Sequence, residues 1–200
     1  MTVGEYYDST LSLWDTEGFD NARALAALVA VNGSGAYVLD VGCGMGNLFP
    51  YLLKGDNSTV LGIDVAPGML ALARQRFADE PRVFLEERAF EDLHSGGFDS
   101  IVAFNSYHHF LEPRKFLRRA SRLLTENGRL TVAYGYGRNH LNNIIRILPP
   151  GIARELDPLP EEVALWSERF RMECYLDCDD FLILSGVKRS APILKAVQKN

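Results

Sequence analysis

The sequence of 200 residues lacks several features that would assign it to a class of protein at once. It has no run of eighteen apolar residues, and residues 1–10 lack the basic and apolar pattern of a signal peptide. Lys and Arg number 21 against 26 Asp and Glu, so the formal net charge is −5. Binding of nucleic-acid phosphates needs concentrated cations. We therefore expect a cytoplasmic protein with neither a nucleic-acid partner nor a membrane association.

Cysteine is also scarce, with three in the chain. Cys174 and Cys178 fall on one predicted strand, where four residues span about 13 Å, too far for a disulfide. None of the three, Cys43 included, has a metal-ligand spacing with a histidine. We expect all three to be small buried residues, with no metal site.

Segments with strand composition alternate with helical patterns along most of the chain. Strands are predicted at residues 38–41, 59–64, 82–85, 99–104 and 129–134, and helices at residues 20–31, 48–53, 67–77 and 113–124. This alternation indicates right-handed crossovers and a parallel sheet. The last of these helices carries five cations on one face, which could bind nucleic acid or simply be a solvated outer face; we favour the second interpretation.

The last third of the chain has a different texture. Residues 135–166 contain four prolines and one predicted helix, at residues 141–148. Strands predicted at residues 171–177 and 181–188 are joined by so short a turn that they must pair antiparallel. We predict one α/β domain over residues 1–200, with a doubly wound, Rossmann-like sheet of seven strands. The sheet is mostly parallel with an antiparallel C-terminal hairpin strand, and residues 135–166 form an insertion that caps the substrate.

The most informative segment is residues 38–48, VLDVGCGMGNL. Asp40 comes near the end of the first strand, and glycines follow at positions 42, 44 and 46. Glycine permits a tight turn and lets a ligand approach bare backbone, while free amides at a helix start favour an anionic or electron-rich group. A dinucleotide fingerprint would have its third glycine at position 47, where Asn47 stands instead. A further acid, Asp64, ends the second strand 18 residues beyond Gly46.

This variant of the glycine turn resembles motif I of the class I S-adenosylmethionine-dependent methyltransferases. Residues 97–109 resemble the motif IV region of that family, and residues 117–134 resemble its leucine-rich segment, with Glu126-Asn127-Gly128 in place of a proline–glycine pair. The resemblance covers roughly residues 6–188 and is to the branch of quinone-biosynthesis and other small-molecule methylases. It implies transfer of a methyl group from S-adenosylmethionine to a small organic acceptor that the sequence does not identify.

The resemblance also implies which residues hold the cofactor. Asp64 would accept hydrogen bonds from both ribose hydroxyls, and Val65 and Met69 would flank the adenine or merely pack at a helix start. Ala89 stands where the family has an adenine-binding aspartate, so the adenine would be read near Ala89 and Phe90, or by Glu91 or Asp92. Asn105 would line the pocket of the transferable methyl group. The remaining cofactor contacts would come from the glycine turn: Asp40, Gly42, Cys43, Gly44 and Gly46.

The paired histidines at positions 108 and 109 allow three interpretations. Metal binding is disfavoured because adjacent side chains diverge and no third ligand is evident. His108, or less readily His109, could act as a general base, and either could simply pack or cap a helix start. We expect alignment of the reactants, at about 7–11 kcal/mol, to outweigh a base at about 3–5 kcal/mol.

Side chains outside the core pattern are expected to line the acceptor pocket. The alternative for each of them is ordinary packing against a helix or the sheet. These candidates are Tyr6, Tyr7, Trp14, Tyr107, Tyr136, Ile144, Ile145, Ile147 and Leu148. Two other classes of function stay open: a noncatalytic S-adenosylmethionine-binding protein and, less readily, an NAD-dependent oxidoreductase.

Overall fold

Seven strands form a single sheet in the computed structural model, which describes residues 1–13, 28, 36–54 and 58–190. The strands are β1 (Tyr37–Val41), β2 (Thr59–Asp64), β3 (Val83–Glu87), β4 (Phe98–Phe104), β5 (Leu124–Tyr134), β6 (Phe170–Asp177) and β7 (Leu182–Lys188). Their order in the sheet is β3-β2-β1-β4-β5-β7-β6. The first five strands are parallel, and β7 runs antiparallel to both of its neighbours. The predicted fold class is confirmed.

The helices that connect and cover these strands are mostly short. They are α1 (Val3–Ser9), α2 (Phe49–Leu52), α3 (Pro67–Arg76), α4 (Pro113–Leu123), α5 (Arg138–Ile145) and α6 (Leu159–Ser167). Short 3-10 turns cover Leu11–Leu13, Phe90–Asp92 and Tyr107–His109. The helix predicted at residues 20–31 lies outside the described residues except for Leu28, which is helical and fully buried. Trp14 also lies outside them. No helix in the described part of the chain is long and apolar enough to cross a membrane.

Apolar side chains pack on both faces of the sheet, as expected for a parallel sheet covered on both sides. On one face, Leu39, Ile101 and Val132 pack with Phe116 and Leu117 of α4. On the other, Val38, Val60 and Val102 pack with Phe49 of α2 and Leu70 of α3. Because successive side chains of a strand alternate between faces, each central strand contributes to both layers.

The structure differs from the sequence prediction in several places. Helices α1 and α6 were not predicted, and α5 lies three residues before its predicted position. Strand β5 begins at Leu124, five residues before its predicted start at residue 129. Leu124 pairs with Phe98, and the register then shifts before Arg129 pairs with Ser100. Asn127, within the shifted segment, has φ of 62°. The prediction that every cysteine is buried holds for Cys43 but not for the other two: Cys174 in β6 is only partly buried, and Cys178 is exposed in the turn after β6.

The site is positioned by the change of direction in strand order between β1 and β4. Chain segments leaving these two neighbouring strands cross to opposite faces, which opens a crevice at their carboxyl ends. Helix α1 lies beside the crevice and packs closely on the end of β2. A Cβ atom added at Gly4 would lie 2.4 Å from the carbonyl oxygen of Val65, and the Gly68 amide donates to Asp8 Oδ1 at 2.9 Å.

Candidate functional site

The glycine turn after β1 is held against the loop after β4. Its first glycine, Gly42, has φ of +70°, and a Cβ there would lie 2.6 Å from the Cβ of Ser106. Ser106 Oγ donates to the carbonyl oxygen of Val41 at 2.6 Å. A residue with a side chain at position 42 would therefore separate the two loops that meet at the crevice.

The second glycine, Gly44, is joined to the end of β2. Its backbone N–H donates to Asp64 Oδ2 at 2.8 Å, while Asp64 Oδ1 accepts from the Ala66 amide at 2.9 Å. Gly44 has φ of +52°, and a Cβ added there would meet no atom within 4 Å. The loop thus presents bare backbone beside a carboxylate whose orientation is fixed by two amides.

A cavity of about 660 Å³ opens between these loops, α1 and the segment after β5. This volume suits a small-molecule site. Most of the predicted site residues line it: Tyr7, Asp40, Gly42, Cys43, Gly44, Asp64, Val65, Met69, Phe90, Glu91, Asn105, His108 and Tyr136. Three further candidates for the acceptor pocket, Tyr6, Ile144 and Leu148, also line the cavity.

Four predicted site residues lie elsewhere. Gly46 packs against aromatic rings, since a Cβ there would lie 2.7 Å from atoms of Phe49 and Phe77. Ala89 precedes the 3-10 turn after β3 and does not line the cavity, although its neighbours Phe90 and Glu91 do. Gly46 and Ala89 thus do not line the cavity, and their assignment as cofactor contacts stays a prediction.

The other two, Tyr107 and Ile145, were predicted to line the acceptor pocket and belong to the core instead. Tyr107 is fully buried, and its hydroxyl donates to Glu162 Oε2 at 3.2 Å. The guanidinium of Arg154 lies 4.8 Å from the centre of its ring. Ile145 packs in the main core, because the helical turn places Ile144 on the cavity side of α5.

Two carboxylates give the cavity wall near β1 and β2 its electrostatic character. Burial raises the pKa of Asp40 to about 8, and the negative charge of Asp64 adds to this shift. Burial also raises the pKa of Asp64, while the amides of Ala66, Gly44 and Val65 oppose that shift by stabilising the carboxylate. A cationic group bound beside these residues would lower both pKa values.

The loop after β4 carries Asn105 and the two histidines. Asn105 adopts a left-handed backbone with φ of 54°, which asparagine tolerates better than most residues, and its Oδ1 accepts from the Gly135 amide at 3.1 Å. His108 and His109 both line the cavity, and burial lowers the pKa of each. Within the described ranges, no group of three or more potential metal ligands occurs.

Sequence reasoning missed the contribution of α1 to this cavity beyond its tyrosines. Thr2, Val3 and Gly4 also line it. The signal was present in the sequence, because Thr2 and Glu5 form a capping box that starts the helix.

Comparison with known proteins agrees with this geometry. A family profile described as a methyltransferase domain matches residues 39–130. The N-methyltransferase NodS of Bradyrhizobium japonicum, solved with S-adenosylhomocysteine, superposes with a TM-score of 0.75 at 15% identity, over 94% of this chain and 99% of that one. Residues 39–130 of this chain thus resemble a methyltransferase domain, and the fold is that of the solved methyltransferase. The resemblance inferred from its sequence is confirmed.

The curated relatives that this chain resembles extend well beyond the matched segment. Methyltransferase GfsG of Streptomyces halstedii is 31% identical over 145 residues, which cover 66% of this chain and 51% of the relative. A ubiquinone biosynthesis O-methyltransferase of Xanthomonas oryzae is 30% identical over 146 residues, covering 66% of this chain and 61% of the relative. The chain thus spans about half to three fifths of the length of these relatives.

Proposed function

We propose that this chain binds S-adenosylmethionine in the 660 Å³ cavity and transfers its methyl group to a small, largely apolar organic molecule. The observation that carries the proposal is the junction of Asp64 with the Gly44 amide at the wall of this cavity. Neither a nicotinamide-dependent oxidoreductase nor a noncatalytic binding protein is favoured by a particular residue.

The cofactor half of the cavity fits an adenosyl sulfonium in three respects. Asp64 presents a carboxylate to ribose hydroxyls, Val65 and Met69 offer apolar surface to the adenine, and Asp40 offers a negative charge to the ammonium or sulfonium group. The open space beside Gly44 leaves the loop backbone accessible. Position 47 is Asn47, so the glycine spacing of a dinucleotide-binding turn is not met.

The acceptor half is formed by residues 104–110, by α1 and by the segment after β5. Its walls carry aromatic and aliphatic side chains, namely Tyr6, Tyr7, Phe110, Tyr136, Leu141, Ile144 and Leu148. We propose that α5 and the residues around it cap the acceptor, as suits a small molecule buried on several sides.

When bound, S-adenosylmethionine supplies an electrophilic methyl carbon on a sulfonium. The chain then has mainly to align the acceptor and exclude water, and such alignment contributes about 7–11 kcal/mol. Asn105 holds the carboxyl end of β5 through the Gly135 amide. The cofactor loop and the acceptor cap are therefore attached at the same end of the sheet, the carboxyl end of its parallel strands.

The experiment is methyl transfer from tritiated S-adenosylmethionine to a panel of phenols, quinols, amines, transfer RNA and protein. We expect labelling of a small molecule and loss of that labelling in the Asp64→Ala variant. Exposed Asp79→Ala is the matched control, because it also removes one carboxylate. Robust labelling of RNA or protein, with no small molecule labelled, would contradict the proposal.

A further inference from the structure

The hydrogen bonds of His109 fix which of its ring nitrogens carries the proton. Nδ1 lies 2.8 Å from the carbonyl oxygen of Ile152. A carbonyl oxygen only accepts, so Nδ1 carries a hydrogen. Burial lowers the pKa of His109 and favours the neutral ring, in which Nε2 has a free electron pair. Nε2 lies 2.8 Å from the hydroxyl of Tyr7, which must therefore donate to it. His109 is thus a neutral imidazole with its basic nitrogen directed at a tyrosine of α1.

His108 is arranged differently. Its backbone N–H donates to the hydroxyl oxygen of Tyr134 at 2.8 Å, and its Nδ1 lies 3.3 Å from the same hydroxyl. Tyr134 is fully buried, so Nδ1 of His108 is directed into the core, and no carbonyl oxygen among the described contacts fixes the hydrogen of this ring. The network therefore favours His109 over His108, the base predicted from the sequence.

The described side chains beside this pair on the acceptor side are uncharged. Among the described residues that line the cavity, the carboxylates are Asp40 in β1, Asp64 at the end of β2 and Glu91 in the turn after β3. The described groups that act on Tyr7, His108 and His109 include Tyr6, Tyr136, Asp64, Arg154 and the carbonyl of Ile152. No described carboxylate on the acceptor side could pair with an ammonium group, so the setting suits a neutral acceptor.

We propose that Tyr7 and His109 form a proton-transfer pair for a hydroxyl acceptor, and that the reaction is methylation of a phenolic oxygen. This inference rests on the proposed function. The acceptor hydroxyl donates to the oxygen of Tyr7 while Tyr7 donates to Nε2 of His109. As the acceptor oxygen forms its bond to the methyl carbon, the carbon–sulfur bond breaks and its electron pair stays on sulfur. The acceptor proton passes to Tyr7, the Tyr7 proton passes to His109, and the resulting imidazolium later releases a proton to solvent.

Burial strengthens this assignment. It raises the pKa of Tyr7 well above its usual value and lowers that of His109. Tyr7 therefore passes a proton on without persisting as a phenolate, and His109 is neutral and ready to accept one at neutral pH. A phenol with a pKa of about 10 is mostly protonated at pH 7, so a positioned base contributes about 10²–10⁴-fold.

The test compares two acceptors that differ in their need for a base. Phenol is protonated at the assay pH of about 8, whereas 4-nitrophenol is largely ionised without help. We expect Tyr7→Phe and His109→Gln each to lower the rate with phenol about 10²–10⁴-fold, and to lower the rate with 4-nitrophenol at least tenfold less. Exposed His94→Gln, which removes another histidine outside the cavity lining and outside α5, should match the wild type with both.

Two further measurements separate the possible failures. Calorimetry with S-adenosylhomocysteine should give the same affinity for wild type, Tyr7→Phe and His109→Gln, since the pair faces the acceptor. The phenol rate of the wild type should reach a plateau once His109 is deprotonated, whereas the variants should continue to rise with phenol ionisation. Tyr7→Phe keeps the ring and loses only the hydroxyl, so it tests the relay even if His109→Gln does not fold.

Equal losses with phenol and 4-nitrophenol would overturn the proton-transfer pair, although the proposed methyl transfer would stand. Labelling of amines without any phenol, or of no phenol in the panel, would overturn the acceptor class. Absence of S-adenosylhomocysteine binding by the wild type would instead refute the proposed function on which the inference rests.

Discussion

Asp64 and Gly44 are 20 residues apart in sequence, and the backbone N–H of Gly44 donates to Asp64 Oδ2 at 2.8 Å. The carboxylate that ends β2 therefore fixes the glycine turn that follows β1. Its other oxygen is occupied by the Ala66 amide, so the direction in which the carboxylate faces the cavity is set before any ligand arrives. Preorganisation of this kind reduces the ordering that binding requires.

Replacement of Asp64 by alanine should remove both this junction and the hydrogen bonds to ribose hydroxyls. We expect Asp64→Ala to weaken binding of S-adenosylhomocysteine by ~1–3 kcal/mol, about 5–150-fold, measured by titration calorimetry. Asp79→Ala removes an exposed carboxylate and should bind like the wild type. Unchanged affinity in a folded Asp64→Ala protein would remove Asp64 from the site.

Substitution of Gly44 should affect binding more than folding. A valine at this position would carry its side chain into open space, and its φ of +52° disfavours a β-branched residue. We expect Gly44→Val to abolish S-adenosylhomocysteine binding while its circular dichroism stays close to that of the wild type. Gly97→Val is the matched control, because Gly97 has φ of +97° and open space but does not line the cavity. Binding retained by Gly44→Val would mean that the turn is structural only.

Asp40 should make stability depend on pH in a definite direction. Its folded pKa of about 8 lies above the usual 3.8, so the folded state binds a proton more tightly than the unfolded state. Its contribution to stability is therefore full below pH about 4 and is lost as pH rises towards 8. We expect the free energy of unfolding of Asp40→Asn, minus that of the wild type, to rise between pH 5.5 and 8 by up to ~1.4 kcal/mol per unit.

This difference should level off above pH about 8, where Asp40 is ionised in both states. Urea unfolding at a series of pH values gives the measurement, and Asp79→Asn controls for the loss of one carboxylate. The titration of His108 and His109 contributes equally to wild type and variant and cancels. A difference that is constant across the pH range would contradict the assignment of Asp40 as a buried, proton-binding carboxylate.

Substitution of Ile144 should change the KM for the acceptor, whereas substitution of Ile147 should not. Ile144 lines the cavity, whereas Ile147 is 84% exposed just beyond α5. We expect Ile144→Ala to raise the KM of the best-labelled acceptor several-fold with little change in S-adenosylhomocysteine affinity, since the residue would touch only the second substrate. Tyr136→Phe should likewise affect turnover of the acceptor more than cofactor affinity. Equal effects of Ile144→Ala and Ile147→Ala would place the acceptor elsewhere.

The sheet could be predicted from sequence because each parallel strand is a short apolar run ending in a turn. The placement of β7 between β5 and β6 was not predicted, although the two strands differ in pattern. Strand β7 is almost continuously buried, as suits a central strand, whereas β6 alternates with the exposed charges Arg171 and Glu173. The pattern of apolar and charged residues in β6 and β7 thus indicated that β6 is the edge strand.

Site residues that belong to one local motif could be predicted from the sequence. Site residues brought together from distant segments could be predicted less well. The glycine turn and Asp64 followed from spacing along the chain. Two choices depended on the direction of side chains in the folded protein. Ile144 faces the cavity and Ile145 the core. His109, rather than His108, contacts Tyr7 of α1 and the carbonyl oxygen of Ile152. A hydrogen bond between residues 102 positions apart, Tyr7 and His109, has no local signature.

The most direct test of the central claim is parallel calorimetric titration of the wild-type protein with S-adenosylhomocysteine and with NAD. The account predicts saturable binding of S-adenosylhomocysteine at one site per chain, lost in Gly44→Val, and no binding of NAD. Saturable binding of NAD, or no heat from S-adenosylhomocysteine with a folded protein, would contradict it.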